Sequence, residues 1–305
     1  MTLVSILIGA LVAGGAFFLV RWVFEARRMS SERGTATPRP TPLDLVIGFV
    51  TNFFDTLGIG SFATTTAAFR LFRFVPDELI PGTIIVGDAL AVLTQAVAFI
   101  SAVEVDPVQL TALIVVCVAG GWLGTGIVTK LSRRAIRLGL GTALIVAAVF
   151  IALGVLGRMP TGGTARALTP AAFVLALAVN FVLGALLPLG IGNYAPSLVL
   201  FSLLGMDLRA AFPIMMGSGA FVATVAGLRF LSARRFHQRA ALGLAIGGIP
   251  GVVVAVWLVK SLPLEALRVL VLAVVVYVAI TLLRSGMRRD AQVPEFGGRI
   301  EPPSG

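Results

Sequence analysis

The sequence is poor in charge. Asp, Glu, Lys and Arg make up 12% of its 305 residues, against 58% hydrophobic residues, and the mean hydropathy is +1.01. So few polar residues cannot cover a water-soluble domain of this length. A soluble globular fold is excluded, and an all-α polytopic membrane protein is expected. Cysteine and histidine are nearly absent too. Cys117 is the one cysteine, which excludes an intrachain disulfide framework; inside an apolar run it reads as a small core residue. His237 is the one histidine and lies in an arginine-rich connection, so neither a metal site nor a catalytic triad is expected to form on it. P-loop and hydrolase serine motifs are missing. An enzyme, a metal and a cofactor are therefore not expected, and energy coupling must come from a gradient or a partner. Basic residues outnumber acidic ones, 24 to 14, but they fall in short connections between apolar runs. There they act as topology signals, so no nucleic-acid partner is expected.

In place of polar motifs the chain carries one glycine-broken stretch twice. The first copy is Asp55-Thr56-Leu57-Gly58-Ile59-Gly60-Ser61-Phe62, and the second is Leu187-Pro188-Leu189-Gly190-Ile191-Gly192-Asn193-Tyr194. Both sit deep in apolar runs, where Gly-x-Gly disfavours a continuous helix. The copies lie 132 positions apart, and the same offset sets Phe49 on Phe181, Pro81 on Pro213 and Gly87 on Gly219. A register held this long is an internal repeat.

Residues 1–24 read as a transmembrane helix: the apolar run has no basic residue ahead of it and a cluster from Arg21 to Arg39 at and beyond its end. A secretory signal peptide has the reverse charge order, so the N-terminus is expected outside. Residues 25–42, with Pro38, Pro40 and Pro42, read as a cytoplasmic linker. Repeat one covers 43–157 and repeat two 169–284, with an external linker over 158–168 and a cytoplasmic tail over 285–305. Gly120 and Gly124, like Gly247 and Gly251, have the small-xxx-small spacing that lets helices pack closely.

The first segment of each repeat decides the topology. An unbroken helix over 43–73 would be roughly 46 Å long, well beyond the roughly 30 Å hydrocarbon core. Broken at the glycines, it becomes two limbs of about 20 Å each, which enter and leave on one side. If both broken segments are re-entrant, 19 of the 24 Lys and Arg fall on the cytoplasmic side; if both span, 15 do. The positive-inside rule prefers the first arrangement. Each repeat then crosses three times, and the two are inverted. The expected fold is one extra N-terminal helix followed by two inverted repeats, each a Gly-broken helix pair plus three transmembrane helices. This is the plan of a secondary transporter with its site near the midplane. The expected location is the inner (plasma) membrane, with the C-terminus cytoplasmic.

The residues after each Gly-x-Gly open a second half-helix. A helix N-terminus presents unpaired N–H groups and the positive end of the dipole, so it binds anions. The candidate substrate-binding residues are Gly58, Gly60, Ser61, Phe62 and Thr64 in copy one, and Gly190, Gly192, Asn193, Tyr194 and Ser197 in copy two. Ser61 and Asn193 are good N-cap types. The competing reading is that the glycines only permit tight helix crossings. Asp55 and Asp88 are the deepest acidic residues and the candidates for proton coupling. Alternatively, they are structural aspartates held by Asn52, Thr56 or Gln95.

A paired Gly-Ile-Gly in two homologous halves, each with a proline about twenty residues on, resembles the TauE/SafE family, or TSUP-type sulfite exporters. The resemblance covers most of 43–284. The family's usual motif is a longer glycine run; here Ser61-Phe62 and Asn193-Tyr194 replace its third and fourth glycines. The resemblance implies transport, as a probable exporter in the family's manner, of a small sulfur-containing or organic anion such as sulfite or an organosulfonate. Phe62 and Tyr194 would then reshape the pocket. A passive anion channel, a non-transporting membrane subunit and, more weakly, an intramembrane enzyme stand as alternatives.

Overall fold

In the computed structural model, residues 2–32, 34, 38–124, 133–156, 163–187 and 193–287 are described. They form helices and connections, with one isolated backbone bridge, Ala165 to Met206, and no strand. The first helix, α1 (Leu3–Glu32), continues past the apolar run that was expected to end it at residue 24. Two i,i+4 ion pairs, Arg21–Glu25 and Arg28–Glu32, support the extension. The linker expected over 25–42 is thus helical up to Glu32, and Pro42 already belongs to α2 (Pro42–Thr56). A capping box opens α2: Thr41 Oγ1 accepts from Asp44 N, and Asp44 Oδ2 accepts from Thr41 N at 2.8 Å.

α3 (Ser61–Phe72) follows the glycine break, and a short turn over Asp77–Leu79 leads into α4 (Ile80–Ala102). Asp106 caps α5 (Pro107–Ala119), which widens into a π-helical turn over Gly120–Gly124. After it come α6 (Arg133–Val155), α7 (Pro170–Leu186), α8 (Tyr194–Leu203), α9 (Leu208–Ser232), α10 (Gln238–Ser261) and α11 (Leu264–Met287). Among the described residues, six helices are long and apolar enough to cross a membrane, namely α1, α4, α6, α9, α10 and α11. The chain is an all-helical, membrane-embedded protein.

The two halves carry the same order, a helix pair followed by three helices, and they pack reciprocally. α4 and its counterpart α9 lie against each other at the centre, with Phe99 stacked on Phe212 at 4.9 Å. α2 packs on α10 while α7 packs on α5, and α6 packs on α11 at the periphery. Glycine makes the α2–α10 and α5–α7 crossings possible. A Cβ on Gly247 or Gly251 would overlap the carbonyl of Leu45 or Phe49, and one on Gly120 would overlap the carbonyl of Phe181. The close-packing role expected of these glycines holds at all three.

The ends of the helix pairs gather on two opposite faces. On one, Arg239 at the start of α10 pairs with Asp44 of α2 at 3.2 Å while its guanidinium lies over Phe74, just beyond α3. The start of α2 and the end of α3 are therefore neighbours. Arg234 ties α1 to this face through Glu25 at 3.4 Å and Glu32 at 2.6 Å. On the other face, the strand-like bridge of Ala165 and Met206 joins the approach to α7 with the exit from α8, and Asp207 N donates to Ala165 O at 2.8 Å. α4 runs from the Arg239 face to the face of Arg166, and α9 runs back.

Gly251→Leu should lower the thermal midpoint of the detergent-purified protein, since overpacking costs about 1–3 kcal/mol or more. Gly139→Leu, at a position where a Cβ meets nothing within 4 Å, should leave it nearly unchanged. Equal effects from the two variants would contradict the packing described.

Candidate functional site

α2 ends at Thr56, and Gly58 (φ +97°) and Gly60 (φ +87°) turn the chain through left-handed backbone that side chains disfavour. Copy one is thus a true break. The competing reading of these glycines as spacers for a helix crossing does not hold for Gly60, where a Cβ would meet nothing within 4 Å. Gly58 serves both needs, because a Cβ there would lie 3.2 Å from Leu198 of α8. Gly190 and Gly192 lie outside the described residues.

The break brings Asp55 back onto the half-helix that follows it. Its Oδ1 accepts from Ser61 N at 2.6 Å, and its Oδ2 accepts from Gln95 Nε2 of α4 at 2.9 Å. Gln95 Nε2 also reaches Thr56 Oγ1 at 2.9 Å. The N-terminus of α3 was expected to be open to an external anion; instead, the chain's own carboxylate sits there. Free amides on the first turn of a buried helix need an acceptor, and Asp55 is the nearest group able to supply a charged one. Gly60, rather than Ser61, takes the N-cap position, and Ser61 is the first residue of the helix.

Asp88 of α4 lies close by. Its Oδ1 accepts from Asn52 Nδ2 at 3.0 Å, and that same Nδ2 reaches Gly48 O at 3.1 Å. Among the described residues, neither aspartate forms an ion pair. Asp88 Oδ2 and Asn52 Oδ1 are buried without a hydrogen-bond partner.

The second half meets this cluster through Tyr194, whose hydroxyl points at Gln95 Oε1 across 3.5 Å and packs beside Gly219 of α9. Gln95 therefore touches residues from both copies. Asn193 occupies the N-cap position of α8, but its side chain makes no capping bond. Both of its amide atoms, and Ser197 Oγ one turn on, are fully buried without partners. Ser218 Oγ on α9 is also buried without a hydrogen-bond partner and lies beside the buried Cys117 thiol of α5.

Two expected contacts are redirected. Phe62 packs on the apolar cluster of Ile47, Phe69 and Ile84. Thr64 turns its hydroxyl back onto Ser61 O at 2.9 Å and Gly60 O at 3.3 Å. Thr65 and Ser218 were not singled out from the sequence. Thr65 falls on Ser197 at the repeat offset of 132, and both hydroxyls are fully buried and unpartnered. Matching hydroxyls across the repeat register would have found Thr65; Ser218 has no counterpart that marks it. Two clefts of about 360 and 280 Å³, the first between α4 and α10 and the second between α1, α4 and α10, are lined mainly by apolar side chains, Val256 and Trp257 in one and Leu19 and Val23 in the other. Neither includes a residue of the breaks. Comparison with protein-family models, with curated proteins and with solved structures returned no match.

Gln95→Leu removes the donor shared by Asp55 and Thr56 and leaves a buried carboxylate oxygen unpaired, at a cost of about 1–3 kcal/mol. The thermal midpoint should fall accordingly. A Gln95→Leu protein as stable as the parent would show that this hydrogen bond does not hold the break together.

Proposed function

We propose that this chain is a secondary transporter of a small anion, built from two inverted repeats whose broken helices meet inside the bilayer. The observation that carries the reading is the pair of converging ends. The α2–α3 pair starts and finishes on the Arg239 face, and the α7–α8 pair starts and finishes on the opposite one. Two broken helices reaching inward from opposite sides, with buried polar groups at their tips, are what a midplane substrate site requires. Arg70, Arg73, Arg229, Arg234, Arg235 and Arg239 cluster toward the first face, which supports its assignment to the cytoplasm. The N-terminus then lies outside and the C-terminal end of α11 inside, in a plasma membrane.

The anionic nature of the substrate rests on the chemistry of the half-helix ends. The α3 N-terminus already accommodates a carboxylate, that of Asp55. An external anion would be repelled there. The open seat is therefore at the start of α8, where Asn193 and Ser197 offer unused hydrogen-bond donors. A compact oxyanion matches such a set. The resemblance to TauE/SafE transporters narrows the class to sulfite or an organosulfonate, with export as the direction.

Thermal unfolding of the detergent-purified protein, with sulfite, thiosulfate, sulfate, sulfoacetate, taurine, acetate or chloride, tests the reading. A ligand that binds only the folded state raises the midpoint by mass action. One oxyanion should raise it selectively, and Asn193→Ala or Ser197→Ala should abolish the rise. Removing an unpaired buried polar group is close to neutral for folding, so both variants should stay folded. A rise that persists in both variants, or no rise with any anion, would count against this site.

A further inference from the structure

Asp55 and Asp88 differ in how well they are served. Both oxygens of Asp55 are taken, one by Ser61 N and the other by Gln95 Nε2. Asp88 has one oxygen engaged by Asn52 Nδ2, while its Oδ2 has no partner and is shut away from solvent. The carbonyl oxygen of the same Asn52 amide is also unpartnered, at 0% exposure. Two unused acceptors thus sit on two groups already hydrogen-bonded to each other, and a second carboxylate lies within electrostatic reach. Unused acceptors beside buried negative charge call for a positive ligand.

We propose that Asp88 Oδ2 and Asn52 Oδ1 form a binding site for a small monovalent cation, a proton or Na⁺, with Asp55 supplying field but no ligand. A proton on Asp88 Oδ2 would make it a donor to Asn52 Oδ1. Sodium would use both oxygens as ligands, together with others drawn from the break. Either cation offsets the repulsion between the two carboxyls, which the protein otherwise leaves unbalanced. Among the described residues, Asp55 of α2 and Tyr194 of α8 are the titratable groups facing Asp88. On α10, Gly248 lies against the Asn52 amide and Leu244 against Gly87, the residue before Asp88. The charged groups of α1 and of the α9–α10 connection, Glu25, Arg234 and Arg239, are engaged with one another and with Asp44 at the Arg239 face. None of these supplies the missing positive charge. The site stands apart from the anion seat at Asn193 and Ser197, so it can be tested with no substrate anion present.

The test is thermal unfolding of the full chain in detergent, in gluconate salts of sodium, potassium or choline at equal ionic strength, each at acid, neutral and alkaline pH. A sodium-specific rise in midpoint at alkaline pH identifies Na⁺; a rise on acidification that is the same in all three salts identifies the proton. Whichever is seen should be lost in Asp88→Asn, which keeps the side chain's shape, and reduced at least twofold in Asn52→Leu. Asp77→Asn, at an exposed carboxylate, should respond as the parent does. The proposal is overturned if Asp88→Asn retains the parent's full response, or if neither sodium nor pH moves the parent's midpoint. Failure here with a surviving oxyanion response would leave the transporter reading in place, and the reverse result would remove only the anion seat.

Discussion

A helix broken in the buried interior of a protein exposes backbone amides that water cannot serve, and the Asp55–Ser61 hydrogen bond is how this chain meets that constraint. Much of the surrounding structure follows from it. The carboxylate that closes the α3 terminus must itself be stabilised, so Gln95 reaches across from α4. Gln95 must be held in turn, and Thr56 on one side and Tyr194 on the other define its place. Through this chain of contacts the first break is coupled to the second half of the molecule, and central helix α4 becomes the bridge between them.

The reciprocal packing of the halves shows how two runs of the same helix order build one core. Each first helix lies against a glycine-bearing helix of the other half, and carbonyls from α2 and α7 occupy the space that side chains would need. Close approach of this kind replaces the hydrophobic effect, which gives little drive between helices already surrounded by lipid. The chemistry has diverged within that shared frame. Repeat one places Asp55 and Asp88 near its break, while repeat two places Asn193 and Ser197 after its own. Asp88 falls on Ala220 in the repeat register, and Asp55 on Leu187. A cation site in one half and an anion seat in the other would suit a carrier that couples two ions.

The helical membrane class and the break at Gly58 and Gly60 were legible in the sequence, because composition and glycine in an apolar run act locally. The close-packing glycines were legible as well, since their spacing repeats. Occupation of the α3 terminus by Asp55 was not. It depends on φ at two glycines swinging a carboxylate back by six residues, which no spacing rule encodes. The extension of α1 to Glu32 was missed because hydropathy falls at Phe24, although the i,i+4 pairs beyond it favour helix. Phe62 was assigned to the pocket from its neighbours in sequence, but on a helix the adjacent residue points another way, here into the cluster with Phe69.

The central claim is that the two broken helices enter from opposite sides. Single cysteines introduced at Thr41, Phe74, Ala165 and Leu203, the last an exposed residue at the end of α8, in a Cys117→Ser background, probed with a membrane-impermeant thiol reagent on sealed right-side-out and inside-out vesicles, test it most directly. The account predicts that positions 41 and 74 label from one side and positions 165 and 203 from the other. Labelling of 41 and 74 from opposite sides would mean that the first broken segment spans the membrane, and would contradict the inverted arrangement.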